Sequence, residues 1–147
     1  MSSVFANIIF IGSDHAGFAL KSDLIKQFPD LPWRDLGTNS DESVDYPDYA
    51  DRVVNAMKEH GIDTSVGVLL CGSGQGMAIR ANRYSFIRAA LCWNEEIARL
   101  SRAHNDANVL CLPSRFIEPS AACVILAEFL NTPFEGGGRH ERRVKKL

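Results

Sequence analysis

Apolar residues in this chain follow two rhythms. Apolar runs at 7–12 (NIIFIG), 66–71 (VGVLLC), 87–92 (IRAALC) and 109–112 (VLCL) read as strands, the first as a buried one and that at 66–71 as one buried on both faces. A shorter run at 33–36 reads as one more strand. Between the runs, apolar residues recur every three or four positions. Leu20, Leu24, Ile25 and Phe28 share one face of a helix over 18–28, and Ala50, Val53, Val54 and Met57 share one over 48–60. Further helices are expected at 77–82, from 93 to 102, and from Glu118 through Leu130. Pro29 and Pro32 stop the first helix, Pro47 suits a first helical position, and Gly61 suits a helix end. Strand followed by helix, five times over, predicts an α/β fold with a parallel sheet of about five strands and helices on both faces. A length of 147 residues suits one domain over 1–147.

The stretch 66–77 (VGVLLCGSGQGM) stands out within this pattern. A buried strand ends in Cys71, and glycines follow at 72, 74 and 76 before a short helix. Glycines permit a tight turn and a close backbone approach to a ligand. The helix beyond offers unpaired N–H groups and a partial positive charge. A thiol at the carboxyl end of a strand, beside such a loop, suits chemistry that generates negative charge.

Charge changes the picture locally. The net charge of −2 gives no global field for nucleic acid or a membrane surface. Yet eleven acidic and five basic residues precede Cys71, against seven and eleven from Cys71 onward. A basic second half in a near-neutral chain suggests a local anion site. Cys71, Cys92, Cys111 and Cys123 show no C-x-x-C pair and no zinc-like spacing. The last three lie in apolar runs and read as inert core. Met1 to Ala6 is too short for a secretory signal, and no apolar run nears the ~18 residues of a membrane span. A reducing cytoplasm is the expected setting.

Other polar residues cluster at strand ends. Asp14 and His15 follow the first strand, at the edge where open α/β sheets bind ligands. Asp14 also suits a helix N-cap, whereas His15 has no obvious core role there. Asp45 and Asp48 suit the positive end of the next helix, and Tyr46 between them faces either a site or solvent. Pro113-Ser114-Arg115 is a further strand-end turn. Three glycines at 136–138 open a basic tail, in which Arg139 and Arg143 share a helical face and suit a phosphate clamp. A solvated tail is the plainer reading of an arbitrary terminus, but the glycine hinge favours a functional one.

Three functions compete for these parts. A dinucleotide module expects G-x-G-x-x-G after the first strand and a ribose-binding acid ~20 residues on. This chain has G-x-G-x-G after its third strand and no such acid. A thiol sensor lacks a resolving cysteine nearby in sequence. The third reading is proton transfer on a sugar phosphate. The helix dipole favours the thiolate of Cys71, which removes a proton beside a carbonyl. Gly72 to Gly76 offer N–H donors to the enediolate. A histidine such as His104 can open a sugar ring. No step needs a metal or an organic cofactor.

Five segments carry a family resemblance: Ser13-Asp14-His15-Ala16-Gly17-Phe18, Asp45-Tyr46-Pro47, the run from Cys71 to Gly76, Ser101-Arg102-x-His104-Asn105-Asp106-x-Asn108, and Gly137-Gly138-Arg139-His140-x-x-Arg143-Val144. Together, and in this order, they resemble the type B ribose-5-phosphate isomerases. The wider group holds galactose-6-phosphate and allose-6-phosphate isomerases. The resemblance covers nearly the whole chain. It implies a Rossmann-like three-layer α/β/α fold, a homodimer or dimer of dimers, and interconversion of ribose 5-phosphate and ribulose 5-phosphate. It implies Cys71 as the base between C1 and C2, with Ser73 and the backbone of Gly72, Gly74, Gln75 and Gly76 binding the enediolate. His104 assists ring opening. Asp14, Tyr46 and Asn105 bind hydroxyls, while His15, Arg115, Arg139 and Arg143 bind phosphate. The family's sites form between subunits, so the tail from 136 to 147 completes one. One branch lacks the cysteine and uses a Glu at the position of Met77. The galactose-6-phosphate enzymes work as two different subunits. A chain holding all the parts therefore suggests a self-sufficient pentose enzyme, with six-carbon sugar phosphates as the alternative.

Overall fold

The structure is a computed structural model that describes residues 6–147. The reading of 1–6 as too short for a signal therefore falls, apart from Ala6, outside the described residues. Five strands, β1 (Ile8–Ser13), β2 (Trp33–Asp35), β3 (Ser65–Cys71), β4 (Ala89–Leu91) and β5 (Val109–Pro113), form one parallel sheet in the order β2-β1-β3-β5-β4. Six helices accompany them: α1 (Phe18–Gln27), α2 (Tyr46–His60), α3 (Gln75–Ala81), α4 (Glu95–Asn105), α5 (Pro119–Asn131) and α6 (Arg139–Val144). This is the expected three-layer α/β/α architecture. Among the described residues, no helix is long and apolar enough to cross a membrane.

The unbroken apolar runs are explained by burial on both faces of the sheet. Alternate residues of a strand point to opposite faces. Val66, Val68 and Leu70 join Ile9, Ile11, Leu110 and Leu112 in one core, against α1, α4 and α5. Leu69 and Cys71 join Phe10, Val109 and Cys111 in the other, against α2 and α3. Gly67 also lies on this second face, where α2 presses close. An added Cβ would stand 2.9 Å from Met57 Sδ and 3.0 Å from Val53 and Val109. Cys71 is thus the last residue of the central strand and points towards the face that carries α2 and α3.

Element ends differ by a few residues from the expectation. β4 keeps only three residues of the run 87–92. Ile87 and Arg88 precede it in a turn where Arg88 N–H donates to Asn108 Oδ1 at 2.8 Å. α2 begins at Tyr46, with Pro47 in its first turn and Gly61 closing it at φ 127°. α4 runs on to Asn105 and is capped at its start by Asn94, whose side chain accepts from Ile97 N–H. That extension places His104 and Asn105 on the last turn of a helix.

Candidate active site

The turn after β3 is shaped by its neighbours. Gly74 has φ 74°, a left-handed conformation that favours glycine, and it starts α3. Its position is tight, since a Cβ there would stand 2.5 Å from Leu91 Cδ1. A Cβ on Gly76 would stand 2.5 Å from the ring of Tyr46. Tyr46, the first residue of α2, is therefore laid across the start of α3. The thiol-bearing residue at the base of this turn, Cys71, is 4% exposed. Ser73 is half-buried, and its Oγ accepts from Gln75 N–H at 3.4 Å.

Two other strand ends close in on it. Ser114 Oγ donates to Cys71 O at 2.7 Å and lies 3.1 Å from Ala16 O. Arg115 N–H donates to Gly72 O at 3.0 Å, and its guanidinium would lie 3.0 Å from a Cβ on Gly72. On the β1 side, Gly17 fits against Leu70 so closely that a Cβ would meet that residue at 2.6 Å. Asp14 uses Oδ1 to accept from the N–H groups of Ala16 and Gly17, at 2.9 and 3.1 Å. Asp14 is therefore not the expected helix N-cap: Gly17 holds that position, and the Asp14 carboxylate closes the turn before α1 instead. His15 Nδ1 accepts from Val44 N–H at 3.2 Å, which leaves the proton of a neutral ring on Nε2. An ion pair between a buried lysine and an exposed aspartate supports this end of the sheet. Lys21, 1% exposed, donates to both carboxylate oxygens of Asp35 at 2.7 Å. Asp35 Oδ1 also accepts from Gly37 N–H, and Thr38 N–H donates to Ser13 O, so the loop after β2 is tied to the end of β1.

Cys71, the backbone from Gly72 to Gly76, Ser73, Asp14, His15, Tyr46 and Arg115 therefore gather at the carboxyl edge. His104, Asn105, Arg139 and Arg143 do not join them. α4 runs back from the carboxyl edge, and its last residues lead into the start of β5. Val109 is level with Gly67, four residues before Cys71, so the two groups are separated by roughly 13 Å of strand or more. At that far end α6 packs on α4. His104 and His140 stack with centroids 3.9 Å apart and planes 8° apart. Burial, then the charges of His104 and Arg139, depress the basicity of His140, while Glu135 opposes them. A cleft of about 570 Å³ opens beside this group, lined in part by Arg88, Asn105, Val144 and Leu147.

Burial disfavours the thiolate at each of the other three cysteines. Burial pushes Cys92 up to about 11 and Cys111 well above its ordinary value. Cys123 is only partly buried, on α5, and is also raised by burial. Sequence reading missed Ser114 as the residue that ties three strand ends together, and Glu135 as a neighbour of both histidines. The strand-end position of Ser114 was the available signal. Nothing in the spacing of Glu135 announced its neighbours.

A profile of the Ribose/Galactose Isomerase family matches residues 9–147. The chain belongs to this family. Ribose-5-phosphate isomerase B of Escherichia coli is 40% identical over 95% of this chain and 93% of its own. Among solved structures, a ribose 5-phosphate isomerase of Thermotoga maritima is 51% identical and covers 94% of both chains, with a TM-score of 0.89. Ribose-5-phosphate isomerase B of Mycoplasma genitalium, solved with bound ribulose-5-phosphate, is 41% identical, covers 96% of this chain and 94% of its own, and has a TM-score of 0.89. Family membership and fold thus agree with the resemblance read from the five segments.

Proposed function

We propose that this chain interconverts ribose 5-phosphate and ribulose 5-phosphate through an enediolate, as a cytoplasmic aldose–ketose isomerase of the pentose phosphate pathway. The observation that carries this reading is the bound ribulose-5-phosphate in the Mycoplasma genitalium relative. His104 opens the sugar ring by moving a proton between ring oxygen and O1. The Cys71 thiolate takes the proton from C2, and the electron pair left behind spreads onto O1. Ser73 Oγ and the backbone N–H groups between Gly72 and Gly76 stabilise that oxygen. A proton passes from O2 to O1, Cys71 returns the proton it took to C1, and the electron pair on O2 forms the carbonyl at C2. Asp14, Tyr46 and Asn105 bind hydroxyls. His15, Arg115, Arg139 and Arg143 bind the phosphate. This sequence of steps draws on no metal or organic cofactor.

The site is shared between two chains of a homodimer or dimer of dimers. The separation of the two residue groups within one chain supports this. One chain gives the Cys71 group, and its partner gives His104, Asn105 and the tail from 136 to 147. Mixing Cys71→Ala protein with His104→Ala protein, after exchange of subunits, tests it. Two dead parents should yield about a quarter of native activity, because half the dimers are mixed and each mixed dimer has one intact site of two. No recovery despite proven exchange would sink the shared site. The family's wider name keeps a six-carbon sugar phosphate as the second reading. Comparing kcat/KM for ribose 5-phosphate, allose 6-phosphate and galactose 6-phosphate decides between them, with the pentose expected to lead.

A further inference from the structure

The end of the molecule away from Cys71 brings together three side chains of metal-ligand type. Glu135 Oε2 lies 3.9 Å from His104 Nε2 and 3.9 Å from His140 Nε2. One ligand atom from each residue lies within 4.8 Å of the other two. The N–H of Glu135 donates to Ala103 O at 2.9 Å, which holds this residue beside the turn of α4 that carries His104.

We propose that His104, Glu135 and His140 bind a divalent transition-metal ion of the zinc class, and that the ion competes with the sugar for His104. Two imidazoles and one carboxylate form a recognised zinc ligand set with a fourth position left for water or another ligand. Bonds of ~2.1 Å at tetrahedral angles place ligand atoms ~3.4 Å apart, so the present 3.9 Å separations need to close by about half an ångström. The stacked rings must also splay, so that their Nε2 lone pairs converge. The surroundings permit both. The side chains of His104 and Glu135 are 36% and 58% exposed. Glycines 136–138 link Glu135 to α6, and a Cβ on Gly137 or Gly138 would meet nothing within 4 Å. Arg139 and Arg143 act on the same cluster, so charge attraction alone does not draw a cation there. Nitrogen coordination has to do so, which selects Zn²⁺ or Co²⁺ over Mg²⁺ and Ca²⁺, ions that prefer oxygen ligands.

The competition rests on the isomerase reading above, while the binding does not, and the test separates them. Tag-free Cys71→Ser protein is titrated with ZnCl₂ and CoCl₂ in a calorimeter. One ion per chain is expected, with affinity lowered at least about tenfold by an added His140→Ala or Glu135→Gln, since losing a ligand costs no less than losing its support. MgCl₂ should give no binding. Glu135 is at the surface, so its variant keeps the comparison intact if His140→Ala loosens α6. Absence of binding, affinity in both variants unchanged from the Cys71→Ser parent, equally tight magnesium, or a thiolate-to-cobalt charge-transfer band would each overturn the site. For the competition, zinc should inhibit native turnover reversibly to chelator, and Glu135→Gln should need at least about tenfold more zinc. Equal inhibition of the two proteins, with titration still separating them, would overturn the competition alone.

Discussion

The two ends of this molecule are built by different means. At the carboxyl edge of the sheet, Cys71 ends a strand buried along its whole length. Gly17, Gly74 and Gly76 sit so close to neighbours that a methyl group has no room. At the other end, His104 and His140 meet on a helix turn and a six-residue helix, joined through glycines with open space around them. A proton-transferring base needs a fixed place, and positions on rigid elements supply it. A phosphate clamp on a loosely tethered helix can adjust to its ligand. On the proposed roles, precision and adaptability are assigned to separate parts of one chain.

The comparison can be broken from either side. Cys71→Ala should lower kcat by roughly 10²–10⁴-fold while circular dichroism shows an unchanged fold. Retained turnover would remove the base from this end. Next in size is a matched pair of methyl additions. Gly17→Ala should lower stability by about 1–3 kcal/mol, because the new Cβ strikes Leu70. Gly138→Ala should leave the melting temperature almost unmoved. Equal losses in the two variants would erase the difference drawn here. Arg139→Ala and Arg143→Ala should raise KM by about tenfold with little change in kcat or melting temperature, since both are proposed to hold a non-reacting group.

The smallest expected effect joins α2 to α3. Arg80 donates to both oxygens of Asp51, at 2.8 and 3.0 Å, and Tyr84 OH donates to Oδ1 at 2.7 Å. The Arg80 hydrogen bond holds the Asp51 carboxyl below its ordinary value, despite some opposing burial. A carboxyl lowered by folding adds stability above its unfolded value and loses it as pH falls through the folded one. Asp51→Asn should therefore cost under about 1 kcal/mol at pH 7, given the partial exposure of the pair. The gap between native and variant melting curves should close below about pH 4. A gap that widens in acid would refute the assignment.

Most of the fold was legible in the sequence because burial on both faces leaves so plain a mark. In β3 all seven residues are buried, and after Ser65 none of them is polar down to Cys71. Boundaries were less legible where local contacts decide them. Arg88 belongs to the apolar run by position, yet its backbone is claimed by Asn108, and β4 starts after it. Most of the carboxyl-edge group was readable because its members end or directly follow a strand, Tyr46 at the start of α2 being the exception. Placing His104 was harder, because the reach of α4 depends on α6 and on Glu135, thirty residues away. Lys21 on α1 is buried and pairs with Asp35, fourteen residues on. No local period encodes such a pairing.

The separation of Cys71 from His104 by the length of a strand has a consequence for how the protein behaves at low abundance. On the two-chain reading, a lone subunit holds two incomplete halves and turns over nothing. Activity per molecule then depends on how much of the protein is present, by mass action. Dilution below the dissociation constant of the pair should silence the enzyme without unfolding it, and sugar phosphate, by bridging both halves, should hold the subunits together.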